Sequence, residues 1–416
     1  MPQLKRFYLI LALLAISLCL WAAPAPAQTD QAAPAQAAPA VEQAAPAAGQ
    51  PVAAAPATNL SRLDAAIKSA PEGTDAKKGE IDPKAAPGYL DIPGGPQINL
   101  IAAFLWAIWV GWIFSTVGAF GGIMAGVGHI TIFGIGGYAS TFKQSSPPLN
   151  KMLTDSIRTS NQYLVGLSAA ISSFNYYRMK RLVLPLGICL AIGSIAGSYL
   201  VPVLTAGKIS LKSYIGYFGL FVLFLGCYLF YETTPKGQQS KKKAKEAARA
   251  FEASAKSGKM DMNEMGVKLI SFSLTRVAFT FFGVEFSFNP IIPIIGGFFI
   301  AALASFLGVG GGFLLVPFLT SVSGLPMYLV AGTSALAVLV GMITSISSYM
   351  IQGAEVYWPL IGAELVGIFI GSIIGPKTSK YIPDIWLKRL FILLALYVGI
   401  NYAAKGFLGY NVFPPY

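Results

Sequence analysis

Four glycines, Gly308, Gly310, Gly311 and Gly312, stand just before the apolar run Phe313–Leu319, in which Pro317 falls. Thr333 and Ser334 follow some 20 residues on. Such a glycine cluster strips side chains from a helix start and leaves backbone N–H groups free to face a ligand, an arrangement suited to an anion. Pro317 frees a backbone carbonyl inside the same helix, tolerable in a membrane only where protein or a cavity satisfies it. The two hydroxyls can donate to an oxyanion without adding charge. A degraded copy lies about 190 residues earlier: Gly118, Gly121 and Gly122, then Thr159 and Ser160. Four hydroxyls from two such copies would make a cradle for a small anion, although serine and threonine in a helix also bond back to their own backbone. Arg158 stands where the second copy has Gly332. Two readings of it stay open: a planar fork for a sulfonate, sulfite or carboxylate, or a local pair with Asp155. Glu364 lies near the middle of an apolar stretch, either a proton-coupling carboxylate or a neutral structural one. His129 is the only histidine, a weak signal beyond a hydrogen-bonded core residue.

The elements that must position these groups cross a membrane. Of 416 residues 55% are hydrophobic and 12% charged, with mean hydropathy +0.61. That is too little polar surface for a soluble globule of this length. The net charge of +12 comes from basic residues grouped in short connections and without a nucleic-acid recognition motif, so it sets orientation rather than binding nucleic acid. Cys19, Cys189 and Cys227 build no disulfide framework or metal site, and no cofactor motif is present.

Residues 1–27 read as a signal peptide: Lys5 and Arg6, an apolar run to Leu20, then Ala25-Pro26-Ala27. Residues 28–97, rich in Ala, Pro and Gln, read as a disordered extracytoplasmic tether with no fold assigned. Apolar segments fall at about 98–118, 121–140, 153–177, 182–204 and 211–231, then 286–307, 313–324, 327–350, 356–375 and 385–405. The first five form one repeat (98–231) and the last five another (286–405), joined by a basic cytoplasmic loop with a possible interfacial helix (232–285) and followed by a tail (406–416). One topology puts Arg178, Lys180, Arg181, Lys241–Lys243, Lys377, Lys380, Lys388 and Arg389 inside and both mature termini outside, which fits an inner membrane.

Five segments per unit turn the second unit over, giving an inverted repeat. At an offset of 174, Thr159-Ser160 aligns with Thr333-Ser334, Pro185 with Pro359, Gly193 with Gly367, Gly197-Ser198 with Gly371-Ser372 and Pro202 with Pro376. The fold expected is all-α and polytopic, with a short glycine-broken or re-entrant helix in each half. The glycines at four-residue spacing, Gly193/Gly197 and Gly367/Gly371/Gly375, suit close helix packing.

The run Gly308-Val309-Gly310-Gly311-Gly312-Phe313-Leu314-Leu315-Val316-Pro317-Phe318-Leu319, with Ala331-Gly332-Thr333-Ser334 behind it, resembles the signature of the TauE/SafE family of sulfite exporters and anion permeases. The likeness covers about residues 100–405 and is strongest in the second repeat. It implies secondary transport of sulfur-containing or other organic anions, commonly exported and driven by the proton gradient, with the bilayer and a small anion as the partners. Oligomeric state is not implied. Two other classes were weighed: a membrane enzyme, for which no nucleophile–base pair or metal cluster is visible, and a non-transporting anchor or sensor working through the tether or the basic loop.

Overall fold

The computed structural model describes residues 62–118, 121–205, 211–234, 241–257, 261–307, 312–351, 353–410 and 412. Two compact units divide at Ala65/Ala66, and of the first only Arg62–Ala65, the opening of α1 (Arg62–Lys68), falls among the described residues. The second unit carries everything that follows. The first-half helices are α2 (Leu100–Val117), α3 (Gly121–Val127), α4 (Ile135–Ser145), α5 (Pro147–Arg178), α6 (Leu184–Thr205) and α7 (Leu211–Thr233). A central module holds α8 (Lys242–Ser257), α9 (Met262–Met265) and strands β1 (Lys268–Phe272), β2 (Val277–Phe281) and β3 (Val284–Phe288). The second half is α10 (Ile291–Leu307), α11 (Gly312–Pro317), α12 (Met327–Ile351), α13 (Trp358–Ser379) and α14 (Asp384–Phe407).

Local chemistry sets the boundaries. Asn99 caps α2 by accepting from the Ile101 and Ala102 amides, and Ser146 with Pro147 opens α5. Asp384, at the start of α14, accepts the Met327 amide of α12 at 2.6 Å, while Glu252 of α8 accepts the Asp384 amide at 3.0 Å. Two helix starts are thus capped by carboxylates from other elements.

Helices α2, α12, α13 and α14 are long and apolar enough to cross a membrane, and α3 with α4 makes a further pair bent by 62°. Helix α5 is the longest at 32 residues, but Asp155, Arg158, Asn161, Gln162 and Asn175 make it less apolar than these four. Packing runs between halves: α2 lies on α13, α10 on α6, α7 on α14 and α5 on α12. Glycines set the first two seams. Gly193 and Gly197 press on the backbone of Ile294, Phe298 and Ala302, and Gly367 and Gly371 press on that of Phe104, Ile108 and Trp112. In the third seam Gly219 meets Tyr402 and Ala403, and Gly399 meets Leu223.

Two expectations are corrected here. Residues 66–97, read as part of a structureless tether, form 3₁₀ turns at Ala76–Lys78 and Tyr89–Asp91 and bury Tyr89, Leu90 and Ile92. Ala/Pro/Gly bias hid a few large side chains that do have something to pack against. The stretch 269–284, read as an interfacial segment, is instead an antiparallel sheet in the order β1-β2-β3. Val277, Phe279 and Phe281 alternate along β2, and the turn Phe282-Gly283 has positive φ at both positions (50° and 79°), the geometry of a two-residue hairpin. The basic stretch before the sheet forms the helix α8. Its Ala244, Ala247, Ala248 and Phe251 are buried, and the Phe251 ring lies 4.2 Å from Tyr328 and 5.2 Å from Phe282.

Candidate functional site

Each half contains the same interruption. Helix α3 runs into a π turn at Gly128–Ile132 and then bends at Gly134 (φ 71°), and α11 runs into a π turn at Phe318–Val322 that ends near Gly324 (φ 64°). Isolated π turns inside helices concentrate at functional sites because they re-aim side chains and carbonyls. After Pro317, Thr320 donates back to the Val316 and Pro317 carbonyls at 3.0 and 3.3 Å, so its hydroxyl is spent on the backbone where α11 passes into the π turn. The interruptions meet. A Cβ on Gly118 (φ 93°) would lie 2.8 Å from Val316 Cγ2 and 3.1 Å from Ser334 Oγ, so the break before α3 abuts both α11 and the start of α12. Gly121 and Gly122 are buried in α3, and Gly312 opens α11. Gly308, Gly310 and Gly311 lie outside the described residues.

Inside the first π turn sits His129, wholly buried. Its Nε2 is 2.8 Å from Glu364 Oε2 on α13, and its Nδ1 bonds Asn161 Oδ1 on α5. With oxygen acceptors at both nitrogens, the imidazole is satisfied either as imidazolium against carboxylate or as neutral ring facing a protonated Glu364. Turning the Asn161 amide so that it donates to Nδ1 lets the pair hold one proton fewer, with Nε2–H against the carboxylate. The pair therefore has two complete hydrogen-bonding arrangements differing by one proton.

Helix α5 brings hydroxyls alongside. Ser156 and Ser160 are one turn apart, as are Ser168 and Ser172 further along, with Leu164 between the two pairs, and all four are buried. Ser156 Oγ is 2.8 Å from Tyr89 Oη, and Ser168 Oγ is 2.7 Å from Ser372 Oγ of α13. The Ser160, Ser172 and Ser173 hydroxyls are buried without a hydrogen-bond partner of normal geometry among the described residues. Unsatisfied buried hydroxyls in a spanning bundle call for an explanation, and a polar path or an arriving ligand supplies one.

The four hydroxyls singled out in the sequence divide. Thr159 donates to Asp155 O, Ser334 to Ala331 O, and Thr333 both donates to Leu329 O and accepts from the Val183 amide at 3.2 Å. Three are thus spent on backbone, whereas Ser160 is buried beside the Tyr89 hydroxyl without a hydrogen bond of normal geometry. Arg158 is not brought to this centre. Two positions from both Ser156 and Ser160, it points to the other side of α5, is about one-third exposed (35%) and has Asp155 at 3.8 Å. Asp155 is shared with Lys151 at 3.1 Å. The local pair is the reading the geometry takes.

Sequence reasoning passed over Arg181, grouped there with Arg178 and Lys180 as an orienting charge. It is 2% exposed, donates to Tyr328 O, Pro376 O and Ser379 Oγ, each at 3.3 Å, and lies 4.8, 5.0 and 5.4 Å from the ring centres of Tyr176, Phe251 and Tyr328. Burial pulls its guanidinium below the usual arginine range. The signal for His129 was in plain view, a lone histidine among glycines; its partners, 32 and 235 residues away, were not.

Beside α11 a cleft of about 600 Å³ opens among Lys241, Lys242, Lys243, Tyr228, Tyr231 and Ser321. Lys241 reaches Glu232 at 2.6 Å and the Thr320 carbonyl at 2.8 Å, and burial pulls its ammonium below the usual lysine range.

Comparison with known proteins agrees with this architecture. A probable membrane transporter protein of Haemophilus influenzae (strain ATCC 51907 / DSM 11121 / KW20 / Rd) is 28% identical over 130 residues, covering 29% of this chain. The alignment spans about half (49%) of that relative's length. No solved structure matches. The model of the family described as sulfite exporter TauE/SafE matches residues 102–402, from α2 to the last turns of α14. The chain belongs to the TauE/SafE sulfite exporter family.

Proposed function

We propose that this chain is a secondary transporter of the bacterial inner membrane. It exports a small sulfur-containing or organic anion, of the sulfite, sulfonate, sulfate or thiosulfate class, in exchange for an inward proton. The observation that carries the reading is the His129–Glu364 pair, held dry at an intramembrane helix break beside the buried Ser160 hydroxyl. A buried carboxylate paired with an imidazole can take up and release a proton, and adjacent neutral donors can hold an anion without locking it in place. The lysine-lined cleft would collect anions on the cytoplasmic side and lead them to the foot of α11. Exchange of packing partners between halves, α2 on α13 and α10 on α6, supports two inverted units that rock against each other.

Flux in proteoliposomes tests this, using sulfite, sulfate, thiosulfate and small sulfonates with and without an imposed pH gradient. Saturable movement of one anion that responds to the gradient is expected. In Glu364→Gln the response to the gradient should disappear. Movement of none of these anions by the wild type would overturn the reading.

A further inference from the structure

Residues 66–97 stand ahead of the family-matched region, which begins at residue 102, yet they reach into the site. Tyr89 is wholly buried, its hydroxyl 2.8 Å from Ser156 Oγ and its ring edge-on to Tyr357 at 5.3 Å, just before α13. One helical turn beyond Ser156 lies Ser160, buried without a hydrogen bond of normal geometry, and the other side chains nearby are His129, Asn161 and Glu364. The two residues after Tyr89 are held in the left-handed region without being glycine, Leu90 at φ 56° and Asp91 at φ 57°. Such a conformation persists only where surrounding contacts enforce it, and it concentrates at active sites, ligand clamps and switches. The enforcing contacts are visible: Ile92 is wholly buried, Gly88 packs on the Gly95 backbone with no room for a side chain, and Ser69 Oγ lies 2.6 Å from Ser146 Oγ at the cap of α5.

We infer that residues 66–97 form an extracytoplasmic lid and that Tyr89 is its gating residue, closing the hydroxyl face of α5 by occupying Ser156 and withdrawing to let the anion leave. The lid rests on the transport reading for its purpose, but its motion can be tested without flux. Opening exchanges the Tyr89–Ser156 hydrogen bond for water and releases the left-handed pair, which offsets part of the cost of exposing the buried Tyr89 ring and keeps the closed state the favoured one at rest.

The test uses the full chain with Cys19, Cys189 and Cys227 replaced by alanine and Ser160→Cys added, labelled by a membrane-impermeant maleimide from the extracytoplasmic side of sealed vesicles. Labelling is expected to be slow in this parent and about tenfold faster with Tyr89→Ala. Tyr89→Phe, which keeps the packing and loses only the hydroxyl, is expected between the two. Adding Ser69→Cys and Ser146→Cys and oxidising that pair should suppress labelling, and reduction should restore it. Equal rates in the parent, Tyr89→Ala and Tyr89→Phe, or labelling from the cytoplasmic side alone, would overturn the lid. Sulfate or sulfonate flux is then measured with the lid disulfide closed, because sulfite itself opens disulfides. Undiminished flux overturns the gate. Labelling that follows the lid in a protein that moves no anion leaves the lid standing and removes the transport reading.

Discussion

Alanine at Gly197 or Gly371 should force apart the two seams that join the halves. A Cβ at Gly197 would lie 2.9 Å from the Ala302 amide nitrogen, and one at Gly371 would lie 2.9 Å from the Trp112 amide nitrogen, with the Phe298 and Ile108 carbonyls closer still. Backbone atoms on both sides leave no flexible side chain to yield, so each helix pair must separate by about 1–1.5 Å to restore ordinary contact. A gap of that size forfeits about half or more of each dispersion well at the crossing, and overpacking of this kind costs about 1–3 kcal/mol per substitution. Gly341 and Gly362 are controls in the same helix system: a Cβ at either meets nothing within 4 Å. There alanine should be neutral or stabilise by up to about 1 kcal/mol through helix propensity. The assay is reversible unfolding in detergent micelles, and the two seam variants should lose similar amounts. If Gly197→Ala and Gly371→Ala are no less stable than Gly341→Ala and Gly362→Ala, the close approach of backbones at these seams is refuted.

In His129→Gln, as in Glu364→Gln, anion movement should no longer respond to an imposed pH gradient, because neither side chain can carry the proton; a response equal to wild type in gradient-driven flux would count against the pair. Arg181→Ala should destabilise the protein by roughly 3–5 kcal/mol, from the loss of three charge-assisted hydrogen bonds and the cavity left among the Tyr176, Phe251 and Tyr328 rings, checked by unfolding in micelles. Phe251→Ala removes the ring that joins α8 to Phe281, Phe282 and Tyr328 and should loosen the central module alone. Hydrogen exchange should rise across 242–288 while α2 and α13 stay protected. Arg158→Ala should leave flux within about twofold of wild type, since a half-buried pair on the far side of α5 from Ser160 touches none of the site groups.

How much was legible follows from the reach of each signal. The spans, the glycine seams and the paired helix breaks were readable because hydropathy and spacing are local properties: Gly193 and Gly197 announce a close approach whatever lies opposite. Glu364 was readable as an oddity, a carboxylate among apolar residues, but its role depends on His129, 235 residues away, which no local pattern connects. Arg181 was misread because it adjoins Arg178 and Lys180, and positive charge at a helix end looks the same in sequence whether it faces water or a box of rings. The period-two alternation of β2 and β3 was available and lost to the hydrophobicity of its surroundings. The pairs Ser156/Ser160 and Ser168/Ser172 were equally available, hydroxyls one turn apart that only their burial makes significant.

The seams between halves also order events during synthesis. Helices α2 and α6 find their main partners in α13 and α10, so the first half enters the membrane with its glycine faces bare and Ser168 of α5 without Ser372. A ribosome adding about 5–20 residues per second leaves it in that condition for tens of seconds. During that time the nascent first half is an obvious client for insertion chaperones and quality-control proteases. The two halves made as separate chains should each be short-lived alone and rescue one another when produced together.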